Sequence, residues 1–99
     1  MYVAVSSKAK ESVKILIQHG AEVNLRNTND WTPLYLAAVK NYNEIAELLC
    51  QHGGDINSKN KTGSTLLHVA VENKNEELIE ILCKHGANVN ELNNKFYKK

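Results

Sequence analysis

Apolar and polar residues fall into short blocks that predict paired helices. In the middle of the chain, Thr32-Pro33 precedes the run Leu34-Tyr35-Leu36-Ala37-Ala38. Thr suits a helix N-cap because its hydroxyl can accept an orphan backbone N–H. Pro suits the first helical position, where no N–H is needed. Asn41 to Asn43 interrupts the run, and Ile45, Ala46, Leu48 and Leu49 then recur at helical spacing. His52-Gly53 closes this second stretch, with Gly free to take the left-handed cap. Residues 54–64 are rich in Gly, Asp, Asn, Ser, Lys and Thr and read as a turn-rich connector.

The same unit recurs every 33 residues. Ala4, Glu11, Leu16, His19, Gly20 and Asn24 each have identical counterparts 33 and 66 residues later, the last being Ala70, Glu77, Leu82, His85, Gly86 and Asn90. Between residues 27–59 and 60–92, 11 of 33 positions match; between 2–26 and 35–59, 8 of 25 match. A fixed period of this length is the signature of a solenoid, in which each unit hides its apolar face against its neighbours. The small Ala series should let the first helices pack closely, and the Leu series should form the matching stripe on the second helices.

These residues resemble the ankyrin repeat. The family pattern of Thr-Pro-Leu-His, an Ala two residues on, Leu-Leu, Gly-Ala and Asn is met by Thr32-Pro33-Leu34-Tyr35-Leu36-Ala37 with Leu48-Leu49, Gly53 and Asn57. It is met again by Thr65-Leu66-Leu67-His68-Val69-Ala70 with Ile81-Leu82, Gly86-Ala87 and Asn90. The resemblance implies an all-α repeat solenoid of stacked helix-turn-helix units with β-hairpin connectors. It divides one domain, 1–99, into a truncated repeat (1–26), repeats at 27–59 and 60–92, and a connector stub (93–99). The sequence departs from the pattern in places. Leu66 stands where the family has Pro, Tyr35 where it has His, and Asp30 where its hairpin Gly falls, so Asp30 is expected in a left-handed conformation. Met1-Tyr2 already lies inside the first helix, Phe96 and Lys98 replace the next Gly and Thr, and both ends look truncated or degenerate.

The family binds other proteins in a concave groove lined by hairpin tips and first helices. Carried over position by position, the tips supply Arg26, Thr28, Asn29, Trp31, Lys59, Lys61, Thr62, Ser64, Leu92, Asn94, Lys95 and Tyr97. The first-helix ends supply Ser6, Ser7, Val39, Lys40, Glu72 and Asn73. These positions vary between copies while the framework repeats. Trp31 stands out, because its counterpart Ser64 shows that the stack does not require an aromatic there, and Trp is a favoured interface anchor. Its alternative role is to fold back over the helix start beside Pro33. The tips lean basic, which suits a partner with an acidic or polar surface and an apolar pocket near Trp31; the alternative is a solvated rim of lysines.

Composition adds limits. There are 12 basic and 11 acidic residues, a net charge of +1, which gives no general pull toward nucleic acid or an anionic membrane. No apolar run approaches the ~20 residues of a membrane span. Gly-rich phosphate loops, nucleophile elbows and His-Glu-x-x-His motifs do not occur, so neither catalysis, a cofactor, a metal nor a small-molecule substrate is expected. Cys50 and Cys83 occupy equivalent positions on neighbouring helices whose axes should lie ~8–10 Å apart, beyond the ~7 Å Cα limit for a disulfide. Each is expected to be a small buried hydrophobe. His19, His52 and His85 should bond free carbonyls at the second-helix ends, and Glu80 should pair with Lys84 at i,i+4. The resemblance further implies that His68 ties its hairpin to the helix start and that Asn24, Asn57 and Asn90 bond the hairpin backbone.

The chain therefore reads as a non-catalytic, cytoplasmic-type protein–protein interaction scaffold. It is expected to be a monomer or to self-associate weakly through uncapped ends. The alternative is a structural segment of a longer array, or of a multidomain enzyme whose catalytic domain lies elsewhere.

Overall fold

A computed structural model describes residues 1–90. Six helices are present among the described residues: α1 (Tyr2–Ser6), α2 (Lys10–Gln18), α3 (Pro33–Val39), α4 (Asn43–Gln51), α5 (Leu66–Glu72) and α6 (Glu76–Lys84). They pair as α1/α2, α3/α4 and α5/α6. The first helices pack in the order α1, α3, α5 and the second helices in the order α2, α4, α6, giving two helical layers. No helix among these residues is long and apolar enough to cross a membrane.

The helix starts follow the sequence. Thr32 Oγ accepts the Tyr35 N–H at 3.1 Å, with Pro33 at the first helical position. In α5 Thr65 Oγ accepts the His68 N–H at 3.2 Å, and His68 Nδ1 accepts the Thr65 N–H at 2.8 Å. This is a reciprocal capping box with His in place of the usual Glu or Gln. It secures the one first helix in which Leu66 replaces Pro, and it is the tie expected of His68.

All six helices end in the same device. The second helices close with Gly20, Gly53 and Gly86 at φ 84, 91 and 96°. The next N–H returns to the carbonyl of Leu16, Leu49 or Leu82 at 3.0, 2.8 and 2.9 Å, as in a Schellman motif. The first helices close likewise through Lys8, Asn41 and Lys74 at φ 56, 61 and 55°. There the N–H of Ala9, Tyr42 or Asn75 returns to the repeated Ala4, Ala37 or Ala70 at 2.9, 2.9 and 3.0 Å. Left-handed turns thus recur in phase with the 33-residue period. Asp30 is left-handed as expected, at φ 66°, opposite Gly63 at 85°.

Burial follows the stack, with two corrections. Ala37, Ala70, Leu49 and Leu82 are fully buried, but in the first repeat Ala4 is half-buried and Leu16 is exposed. Cys50 is buried, whereas Cys83 is exposed on the outer side of the third repeat. The connectors are also more modest than full hairpins. The described residues contain a single isolated antiparallel bridge, Lys59 to Thr65. The first connector is closed by Asn27 N–H to Trp31 O at 2.9 Å. Such short arms leave no room for a longer ladder.

Polar clasps join the repeats. Asn24 donates to Gly53 O at 3.0 Å and accepts the Asp55 N–H at 2.8 Å, and Asn57 accepts the Asn88 N–H at 3.3 Å. Asn24 and Asn57 therefore bond connector backbone, as expected, and the connector is that of the following repeat. Asn43 and Asn75 exchange side-chain bonds at 3.1 and 2.7 Å, while Asn75 also caps α6 through the Leu78 N–H. Glu47 receives Lys84 Nζ at 3.1 Å and His85 Nε2 at 2.6 Å. Lys84 thus reaches across the stack rather than along its own helix to Glu80. His85 finds a carboxylate, not the carbonyl partner expected of it. These two hydrogen bonds, His85 first, hold the Glu47 carboxyl below the usual carboxylate range.

Candidate partner-binding surface

Each of the two described connector tips is built around one Asn. Asn27 Oδ1 accepts the N–H groups of Asn29 and Trp31 at 2.9 and 3.0 Å, and its carbonyl accepts the Asp30 N–H at 2.9 Å. Thirty-three residues later, Asn60 Oδ1 accepts the N–H groups of Thr62 and Ser64 at 2.9 and 3.0 Å, and its carbonyl accepts the Gly63 N–H at 3.0 Å. Side-chain carbonyls of Asn are suited to this because they imitate a backbone turn. Asn60 also donates to the Tyr35 hydroxyl at 2.9 Å, tying its tip to the preceding first helix. Sequence reasoning passed over Asn27 and Asn60 as site-organising residues; their identity at matching positions was the signal.

Neighbouring tips are bonded to each other. Arg26 donates to Asp30 O at 3.0 Å and to Lys59 O at 3.1 Å, and sits 3.5 Å from the Asp30 carboxylate. Lys61 Nζ reaches Thr28 O at 3.4 Å. The basic character of the tips is thus partly spent inside the molecule, and Arg26 is a brace between connectors as much as a free charge.

Trp31 is half-buried, with its ring 5.1 Å from that of Tyr35 at 45°. It does fold toward the helix start, and it keeps an exposed part. Tyr35 is buried, and its hydroxyl is pushed up by that burial and by the Glu72 charge. Thr28, Asn29, Lys59, Lys61, Thr62, Lys40, Glu72 and Asn73 are exposed, and Val39 is half-buried. Asn73 also contacts the preceding repeat through Asn41 Oδ1 at 3.3 Å. Ser64 is buried within its connector and offers almost no surface to a partner, a correction to its expected place at the tip. Leu92, Asn94, Lys95 and Tyr97 lie outside the described residues. Ser6 and Ser7 are exposed at the end of α1.

Among the described residues no cluster of three or more His, Cys, Asp or Glu side chains is placed to hold a metal ion. Burial, followed by the Glu47 charge, pushes the Cys50 thiol up to about 12, the opposite of a reactive thiolate.

Paired short helices stacked in two layers, joined by bonded tips at a fixed period, define a repeat solenoid. A family model for ankyrin repeats in three copies matches residues 1–93. The chain belongs to the ankyrin repeat family. No curated protein matches it. Ankyrin repeats are generally protein–protein interaction modules and are generally non-catalytic.

Proposed function

We propose that this chain is a non-catalytic scaffold that binds another protein through its connector tips and the ends of its first helices. The observation that carries this reading is the contrast between framework and tip. The left-handed helix closures and the Ala and Leu framework positions recur from copy to copy, while the exposed tip residues Thr28 and Asn29 are replaced by Lys61 and Thr62. Trp31 supplies the apolar contact, held in place by Tyr35 so that little side-chain freedom is lost on binding. Lys59 and Lys61 give the surface a basic side, so the partner presents an acidic or polar face with an apolar pocket. Pre-bonded tips support the same view, since a stiff surface binds at lower entropic cost.

The test is affinity capture from the native source, followed by titration of the recovered partner against Trp31→Ala and a Lys59/Lys61 charge reversal. Each should weaken binding by an order of magnitude or more, about the effect of losing a central aromatic anchor. Binding indifferent to both changes would refute the reading.

A further inference from the structure

The two outer faces of the stack expose positions that interior repeats hide. On the first repeat, Val3, Ile15 and Leu16 are 78, 54 and 36% exposed, while Leu36, Leu48 and Leu49, one period later, are 5, 9 and 0% exposed. Leu25 is exposed and its counterpart Ser58 is buried. On the third repeat, Val71 is 39% exposed where Ala38 and Val5 are fully buried. Cys83 is exposed where Cys50 is buried. Inside the molecule α3 packs between α1 and α5, and α4 between α2 and α6.

We propose that this chain associates head to tail with copies of itself, the first-repeat face of one copy seating on the third-repeat face of the next. The stack then continues across the molecular boundary by the same 33-residue step. The occupant follows from that continuity: each open face is one half of an interface the molecule already makes twice internally. Polar contacts carry over as well. Glu80 stands one period beyond Glu47, so His19 of the adjoining copy takes the place of His85. Asn90 stands one period beyond Asn57, so the Glu22 N–H of that copy takes the place of Asn88. Others do not: the Asn43–Asn75 exchange falls on Glu76 and Ala9, the Lys84–Glu47 pair falls on Gln18 and Glu80, and one pair becomes repulsive. Where Asn43 meets Glu77 at 3.1 Å, the new boundary sets Glu76 against Glu11, a like-charge pair that weakens the junction. The interface is heterologous, so association builds open rows rather than a closed dimer. It leaves the connector tips free and does not depend on their role.

The experiment is sedimentation of the full chain over a range of concentrations, with two blocked variants. Ile15→Glu blocks the first-repeat face and Val71→Glu the third-repeat face. Both positions are exposed, circular dichroism verifies folding, and Leu25→Glu replaces Ile15→Glu if the latter fails to fold. The wild-type mass should rise with concentration past that of a dimer. Each variant alone should stay monomeric, and a mixture of the two should give a one-to-one dimer that grows no further. Glu76→Lys should tighten wild-type association by about two- to fivefold. A wild-type chain monomeric to millimolar concentration overturns the proposal. So does a blocked variant that still pairs with itself, a mixture that stays monomeric, or a Glu76→Lys chain that associates no better.

Discussion

At the scale of single residues, the turns between paired helices carry an avoidable cost. Lys8 and Lys74 adopt left-handed conformations that side chains with a Cβ disfavour. Lys74→Gly should therefore raise stability by about 0.5–1 kcal/mol, after allowing for the larger entropy of the unfolded Gly chain. Urea unfolding of the two proteins side by side measures it, and a loss of stability would show that the Lys74 side chain contributes more than its backbone costs. The two cysteines separate cleanly at the same scale. Cys83 is exposed, while the Cys50 thiol is buried and pushed up to about 12. An alkylating reagent at neutral pH should modify Cys83 alone in the folded protein and reach Cys50 only on unfolding. Mass mapping of the labelled chain decides, and comparable labelling of both would mean that α4 opens readily.

Between elements, Glu47 bonds both Lys84 and His85 and so joins α4 to the end of α6. The folded protein holds the Glu47 carboxyl below its ordinary value of 4.5. A depressed carboxylate contributes stability in full above its unfolded pKa and loses it as pH falls through the folded one. Stability should thus decline below about pH 4.5, and Glu47→Gln should flatten part of that decline while lowering stability near neutrality. An acid limb unchanged by Glu47→Gln would assign the decline to other carboxylates. This tie also shows what sequence could and could not reveal. Helix starts at Thr32 and Thr65, Gly closures, the left-handed Asp30 and the 33-residue period were all legible, because each rests on local chemistry or on repetition. Glu47–His85 and Asn43–Asn75 were not, since they link residues more than thirty positions apart and a partner in each pair is not kept in every copy: Lys14 and Lys10 occupy the first-copy places of Glu47 and Asn43. The left-handed Lys8 and Lys74 were hidden for a similar reason, as Lys carries no turn signal. The candidate surface was legible as a set of variable positions. Burial of Ser64 and the bonding of Arg26 depend on how each connector folds on its neighbour, which residue identity alone does not disclose.

For the whole molecule, stability should be graded along the stack, because each repeat is held by its own helices and by its neighbours. The middle repeat has a neighbour on both sides, and six of the seven residues of α3 are buried. The first repeat has one neighbour, and α1 and α2 contribute one buried residue each, Val5 and Val13. Its helices also lack side-chain N-caps, whereas α3, α5 and α6 have them. Amide hydrogens of α1 and α2 should therefore exchange through local opening, well before those of α3 and α4, which should approach the protection set by global unfolding. Residue-resolved hydrogen exchange at low concentration, where the outer faces are free, checks this. Equal protection across all three repeats would mean that the stack opens only as a unit. If protection of α1 and α2 instead rises with concentration while that of α3 does not, the added stability comes from outside the chain. It is then confined to the face that carries Val3, Ile15 and Leu16, where a further repeat would sit.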